Sequence, residues 1–201
     1  MAELVRMFCN EQDSIIVPRP CYANLFNDWW IKARVAIVLA YAKKKNKYEP
    51  TLADLQDAYE TAICYGSQPK ALFLSNICNP TGHLYSQSTL TQCLLWAFEK
   101  GLHVICDEIY CFSVFNKKCV AGTGFVSMAK IKYSLLKKEK KKSKASELQE
   151  YLTRYVHIIG GLSKDFGVSG LRVGVIYTEN EDVLRASRGP YGALQGVSSH
   201  T

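Results

Sequence analysis

The sequence lacks several features that would assign it to a common protein class. No apolar run is long enough to cross a bilayer, and the first seven residues lack the charged-then-apolar pattern of an export signal. A Gly-x-x-x-x-Gly-Lys-Ser/Thr loop is absent, which argues against a P-loop nucleotide hydrolase. Cysteines spaced as Cys-x-x-Cys are also absent, which argues against a zinc site. These absences predict a soluble, cytoplasmic protein without a metal site.

Cysteine itself is plentiful, with eight residues in a chain of 201. A chain of this length that is 48% hydrophobic suits one globular domain with a substantial core. Four cysteines stand among apolar neighbours, which predicts small core residues in a reducing compartment rather than disulfides. They are Cys64, Cys78, Cys93 and Cys106.

The positive charge of the chain is concentrated in one segment. Residues 130–144 contain eight lysines against the single acidic residue Glu139, which equals the net charge of +7 of the whole chain. Runs of like charge are usually solvated or disordered, and some bind polyanions or anionic lipid. We interpret residues 130–147 as a lysine-rich insert or loop, with nucleic acid the less expected partner and no membrane contact.

Apolar runs alternate with segments of helical periodicity, which is typical of an α/β fold. The order predicts a three-layer domain with a mostly parallel sheet, because parallel strands are joined by helical crossovers. Only the last apolar run follows its predecessor too closely for such a crossover, so one antiparallel strand is expected. The predicted strands are Ser14–Val17, Val35–Tyr41, Ala71–Leu74, His103–Cys106, Tyr155–Ile159 and Val173–Tyr177.

A glycine-rich stretch, Gly160–Gly167, contains the candidate reactive residue Lys164. A lysine amine is a nucleophile toward carbonyls only when it is deprotonated, which burial and nearby cations favour. Arg172 follows eight positions later, at the start of the last predicted strand. Taken alone, a Ser-Lys pair in such a turn is more often part of an ordinary surface loop.

Unusual polar and aromatic residues follow three other predicted strands. They are Tyr22, Asn79 in an Asn-Pro-Thr-Gly turn, and Asp107 with Tyr110. In an open α/β sheet, ligands bind beyond the carboxyl ends of the strands, so these residues form one candidate site with Lys164 and Arg172.

Each piece also has a simpler interpretation. Asn-Pro-Thr-Gly is a common turn sequence, and Tyr22 and Arg172 are compatible with packing and a structural ion pair. Asp107-Glu108 after an apolar strand also occurs in nucleotide hydrolases that bind magnesium.

In this order and spacing, the motifs resemble those of the fold-type I pyridoxal 5′-phosphate enzymes, the class I/II aminotransferase superfamily. The motifs are Asn-Pro-Thr-Gly, Cys-Asp-Glu-Ile-Tyr and Leu-Ser-Lys-Asp-Phe-Gly-Val-Ser-Gly-Leu-Arg-Val-Gly. Within that superfamily they are most similar to 1-aminocyclopropane-1-carboxylate synthase and its animal synthase-like homologues. The resemblance implies a pyridoxal-phosphate-binding core of an amino-acid lyase or aminotransferase, forming a Schiff base at Lys164.

The resemblance also implies a role for each candidate residue. Lys164 would bond to the cofactor aldehyde and later move the substrate Cα proton, and Asp107 would pair with the ring nitrogen. Tyr110 and Asn79 would donate hydrogen bonds to the phenolic oxygen of the ring. Tyr22 would stack on the ring, and Arg172 would bind the phosphate.

The chain departs from the family pattern in two respects. Gly161 stands where the family commonly has a serine that binds the cofactor phosphate. We also expect residues 1–201 to be a partial large domain, without the first strand and the small domain of the family.

The resemblance further implies a homodimer in the full-length family. The substrate would be an amino acid, S-adenosylmethionine among the candidates. The chain alone would be incomplete for catalysis. The alternatives are a non-catalytic homologue that acts by protein association and, less favoured, a magnesium-dependent hydrolase.

Overall fold

One six-stranded sheet forms the centre of the molecule in the computed structural model, which describes residues 2–114, 124–139 and 145–188. The strand order is β2-β1-β3-β4-β5-β6, with β1 to β5 parallel and β6 antiparallel to β5. The strands are β1 (Asp13–Pro18), β2 (Ala36–Ala40), β3 (Gln68–Ser75), β4 (His103–Asp107), β5 (Val156–Gly161) and β6 (Gly174–Thr178). The predicted α/β class and the single antiparallel strand are confirmed.

Helices connect the strands and cover both faces of the sheet. They are α1 (Ala2–Arg6), α2 (Leu52–Cys64), α3 (Gln87–Lys100), α4 (Met128–Glu139), α5 (Ala145–Tyr155) and α6 (Glu181–Arg188), with a π-helical turn at Phe26–Ile31 and 3-10 turns at Lys44–Asn46 and Ser169–Leu171. Side-chain caps fix the helix starts, because they bind backbone N–H groups that have no partner within the helix. Thr51 and Asp54 form a capping box at α2, and Ser86 caps α3. None of the helices in the described ranges is long and apolar enough to cross a membrane.

Two apolar clusters lie on opposite faces of the sheet, which gives the three layers that the sequence predicted. Helices α2 to α5 pack over one face, where Leu72 and Val104 point. Helices α1 and α6 and the π-helical turn pack over the other, around Phe73 and Ile105. Consecutive residues of a strand thus point to opposite faces of the sheet, because side chains alternate along a strand with a period of two.

The first part of the lysine-rich segment, residues 130–139, is helical rather than a loop. They belong to α4, because Met128, Ile131 and Leu135 share a helix face and are buried in the first cluster. Lys132 is itself buried, 4% exposed, and its Nζ lies 2.8 Å from Glu179 Oε1. The lysines at 140–142 and 144 lie outside the described residues.

The cysteines follow the prediction with one exception. Cys78, Cys93 and Cys106 are buried, whereas Cys64 is exposed at the end of α2. The seven cysteines within the described ranges are all free thiols, and Cys119 lies outside those ranges.

A buried histidine, His157, and a half-buried one, His103, form a polar cluster at the amino ends of β5 and β4. His103 Nδ1 and His157 Nε2 lie 3.0 Å apart, and His157 Nδ1 lies 2.8 Å from Thr178 Oγ1. Phe8 stacks on both imidazole rings. Burial lowers the pKa of His157 from 6.5 to about 3, and His103 and Lys132 lower it further by their charge. Burial also lowers the pKa of His103 to about 4, with a smaller effect of the same sign from Arg154.

We therefore predict that the stability contributed at His157 decreases in acid. Its folded pKa is lowered, so the unfolded state binds a proton first as the pH falls below 6.5, and stability is lost from that pH down toward about 3. His157→Gln should lose stability at pH 7, and its deficit relative to the unsubstituted protein should shrink by about 2 kcal/mol at pH 5. Urea unfolding at both pH values measures this. Thr178→Val, which removes the Oγ1 contacts to His157 and to the backbone N–H of Asn180 but keeps the imidazole, should show a deficit independent of pH. A constant deficit for His157→Gln would contradict the prediction.

Candidate functional site

One cavity, with a volume of about 330 Å³, lies beyond the carboxyl ends of the strands and is lined by all six predicted site residues. They come from four connections: Tyr22 after β1, Asn79 after β3, Asp107 and Tyr110 at the end of β4, and Lys164 and Arg172 between β5 and β6. Residues that are up to 150 positions apart in the chain thus meet at one edge of the sheet, as expected for parallel strands.

Asp107 is the last residue of β4 and is partly buried in the cavity wall. Its Oδ1 accepts a hydrogen bond from the backbone N–H of Ile109 at 3.1 Å. Burial raises the pKa of the carboxyl group to about 6, against the smaller opposing effect of that hydrogen bond. No lysine or arginine in the described ranges forms an ion pair with Asp107, so the carboxylate can receive a cationic ligand group.

Lys164 and Arg172 supply two cationic side chains to the same cavity. Both are exposed to solvent, and Lys164 has no side-chain partner in the described part of the chain. Arg172 Nη1 donates to the Ser169 carbonyl oxygen at 2.9 Å, which holds the side chain against the 3-10 turn before β6. The arginine therefore keeps other N–H groups for an anionic ligand.

Tyr22, Asn79 and Tyr110 bring hydrogen-bonding and aromatic groups without their own side-chain partners among the described residues. Tyr22 is 44% exposed, so its ring is not part of the packed core. Asn79 and Tyr110 lie where this cavity meets a second one of about 450 Å³, lined mainly by apolar residues. The three side chains are free to contact a bound ligand.

The structure adds three serines that the sequence did not single out. Ser75, Ser163 and Ser169 line the cavity. Ser75 is paired in register with Asp107 on the neighbouring strand, so strand alignment is the signal that could have found it. The other two lie within the glycine-rich loops, where serine is too common to stand out.

Gly161, where the resemblance implies a serine, lies at a close approach of two strands. A Cβ atom at this position would lie 3.1 Å from the backbone oxygen of Val173, which is tighter than ordinary contacts allow. Gly161 faces Gly174 where β5 and β6 pair, and the strands approach closely there. A serine at 161 would therefore require this part of the sheet to shift.

Glu108 serves the fold rather than the cavity. Only 7% exposed, it does not line the cavity, and its Oε1 accepts hydrogen bonds from the backbone N–H of Met128 at 2.7 Å and from Ser127 Oγ at 3.1 Å. It thereby binds the first turn of α4. Asp107 and Glu108 point to different surroundings, which argues against a shared magnesium site.

This arrangement predicts a stability defect without a binding defect for Glu108→Ala. The change leaves the buried N–H of Met128 without its acceptor and should lower the free energy of unfolding by about 2 kcal/mol. Urea unfolding measures the loss, with Glu147→Ala, at an exposed helical glutamate, as the control. An unchanged stability together with a lost binding activity would instead indicate that Glu108 contacts a ligand.

Comparison with protein families gives one match over nearly the whole chain. The family profile described as "Aminotransferase class I and II" matches residues 2–190. A 1-aminocyclopropane-1-carboxylate synthase of Cucurbita maxima is 30% identical over 198 residues, which cover 96% of this chain and 36% of the relative. The probable inactive 1-aminocyclopropane-1-carboxylate synthase-like protein 2 of Mus musculus is 31% identical over 206 residues, which cover 100% and 32%. The chain spans about a third of the length of these curated relatives.

Solved structures share the fold at low sequence identity. The PLP-bound C-S lyase of Staphylococcus hominis superposes with a TM-score of 0.71 at 22% identity, over 92% of this chain and 41% of the lyase. The aromatic aminotransferase of Pyrococcus horikoshii superposes with a TM-score of 0.69 at 17% identity, over 92% and 42%. In both superpositions, this chain covers a similar portion of a longer solved chain.

Proposed function

The chain belongs to the class I and II aminotransferase family, and from that premise we propose that it is the pyridoxal-phosphate-binding core of an amino-acid lyase or aminotransferase. Within the family, its relatives include 1-aminocyclopropane-1-carboxylate synthases and a synthase-like protein. The proposal places the cofactor in the 330 Å³ cavity, with Lys164 as the residue that bonds to it.

One observation carries the proposal: six side chains suited to one cofactor line one cavity. A partly buried carboxylate without a lysine or arginine partner in the described ranges suits a protonated ring nitrogen, because an adjacent cation would offset its cost of burial. An amine and a guanidinium in the same cavity suit an aldehyde and a phosphate. The residues present therefore fit pyridoxal phosphate.

Bound pyridoxal phosphate supplies an aldehyde that bonds to amines and a protonated ring that accepts electrons from the substrate Cα. Lys164 would hold the cofactor through its amine and, once an amino acid has released it, would move the Cα proton as a general base. Asp107 would hold the proton on the ring nitrogen as an ionised carboxylate. A ring cation beside it would lower the pKa that burial raises in the cofactor-free protein.

The remaining residues orient the cofactor. Tyr110 and Asn79 would donate hydrogen bonds to the phenolic oxygen, and Tyr22 would offer its exposed aromatic ring to the cofactor. Arg172 would bind the phosphate with the N–H groups that Ser169 does not occupy. Ser163 and Ser169 offer hydroxyl groups that can replace the serine missing at position 161.

The described residues fit more than one reaction of the family. Cyclopropane formation from S-adenosylmethionine and transamination share the removal of the Cα proton, so both remain within the proposal. We also propose a cytoplasmic location, in keeping with the free thiols of the seven described cysteines. The resemblance to the family is the basis for proposing a homodimer as well.

Product analysis tests the proposed function. The purified full-length protein, loaded with pyridoxal phosphate, is incubated with S-adenosylmethionine or with other amino acids and a 2-oxo acid, and the products are identified by mass spectrometry. We expect one of the two reactions to give a product that requires the cofactor. No product from any amino acid would refute both.

A second candidate function, association with another protein without catalysis, is favoured by an apolar surface on β6. Val175, Ile176 and Tyr177 are 54%, 43% and 47% exposed, and Leu171 nearby is 65% exposed. Contiguous exposed apolar residues of this kind mark interaction sites. This candidate predicts a stable complex with an intact homologue, detectable by sedimentation, and no turnover in the complex.

A further inference from the structure

The carboxylate of Asp165 binds a turn that belongs to a different strand. Its Oδ2 accepts a hydrogen bond from the backbone N–H of Phe112 at 2.9 Å, and its Oδ1 accepts one from Ser113 Oγ at 2.5 Å. Cys111 Sγ lies 3.7 Å from the same Oδ2. Three consecutive residues of the turn after β4 thus converge on one carboxylate in the turn after β5.

These contacts connect the two segments that carry the central residues of the proposed site. Asp165 directly follows Lys164, and Phe112 and Ser113 follow Tyr110 within one turn. A second contact reinforces the connection, because the rings of Phe112 and Phe166 pack edge to face with centroids 5.8 Å apart. Lys164 and Tyr110 have no side-chain partners of their own in the described ranges, so their relative position depends on their turns.

We propose that Asp165 is a positioning residue that fixes the distance between the Lys164 amine and the Tyr110 hydroxyl in the cavity. This inference rests on the proposed function, in which both groups act on one cofactor. Hydrogen bonds to an ionised carboxylate are short and strong, so a carboxylate with two such donors restrains the turn more than neutral contacts would. Asp165 does not line the cavity, so it acts through its neighbours.

A competing explanation is that Asp165 acts only through its negative charge beside Lys164. The two explanations differ in what asparagine can replace. An asparagine oxygen can accept from the Phe112 N–H while its amide donates to Ser113 Oγ, so Asp165→Asn keeps weakened contacts but removes the charge. Asp165→Ala removes both. Positioning predicts a graded loss, whereas a pure charge effect predicts that the two variants behave alike.

The test compares Asp165→Ala, Asp165→Asn and Ser113→Ala, with Asp182→Asn as a control at an exposed carboxylate. Hydrogen exchange of the Phe112 amide reports the contact in the cofactor-free protein. Absorbance titration with pyridoxal phosphate reports its affinity, and a pH titration of the bound chromophore reports the hydrogen bond from Tyr110.

We expect Asp165→Ala to speed exchange and weaken cofactor binding, each by about tenfold or more. The pH midpoint of the chromophore should rise, because a displaced Tyr110 no longer favours the phenolate of the ring. Asp165→Asn and Ser113→Ala should show smaller effects of the same sign, which keeps the test decisive if Asp165→Ala fails to fold. Equal effects of alanine and asparagine, or unchanged exchange and midpoint in all variants, would overturn the positioning role. An unsubstituted protein without any chromophore would instead refute the proposed function itself, and the positioning role with it.

Discussion

Replacement of Lys164 by alanine is expected to lower product formation by a factor on the order of 10²–10⁴, because the protein would lose the proposed general base for the Cα proton. The loss of the amine that bonds to the cofactor adds to this effect. Turnover of the cofactor-loaded full-length protein, measured with the substrate identified by product analysis, provides the readout.

Lys138→Ala is the matched control for this variant. Lys138 is an exposed lysine of α4, a helix that packs over one face of the sheet. It does not line the cavity. Its replacement should leave turnover unchanged. Similar rates for Lys164→Ala and Lys138→Ala would show that the amine at position 164 takes no part in the reaction.

The second large effect is expected at Asp107. Asp107→Asn keeps the size of the side chain but removes the anion that stabilises a protonated ring, and turnover should fall by a factor on the order of 10²–10³. Folding should not suffer, because the neutral side chain does not bear the cost of burial that raises the pKa of the carboxyl group.

Asp107 also predicts how cofactor binding responds to pH. The carboxyl group of the cofactor-free protein binds a proton as the pH falls through about 6, and that proton must leave before a cationic ring can be paired. The affinity for pyridoxal phosphate should therefore decrease below pH 6 in the unsubstituted protein. Asp107→Asn should bind weakly with a flatter profile over the same range, and identical profiles would exclude Asp107 as the partner of the ring.

Much of the site follows from the sequence, because its elements are encoded locally. Short apolar runs predict the strands, and residues after parallel strands must meet at one edge of the sheet. Tyr22, Asn79, Asp107 and Lys164 line a common cavity for this reason. Their chemical roles depend on a ligand that strand order does not specify, so those roles stay predictions.

Other features depend on contacts between distant segments, which no local pattern shows. Lys132 looked like part of a solvated basic run, yet it is buried because Ile131 and Leu135 hold its helix in the core. Glu108 looked like a metal ligand, yet it binds the start of α4. No sequence pattern distinguishes Asp165 from its neighbour Lys164, although the Asp165 carboxylate joins two turns.

The central claim is that the amine of Lys164 bonds to pyridoxal phosphate in this cavity. The most direct measurement adds the cofactor to the purified protein, reduces the adduct with borohydride and maps the modified lysine by mass spectrometry. We expect one dominant modified peptide, containing Lys164, at a cofactor concentration that saturates the absorbance change. Modification spread over the lysines of residues 130–144, with no preference for Lys164, would contradict the account.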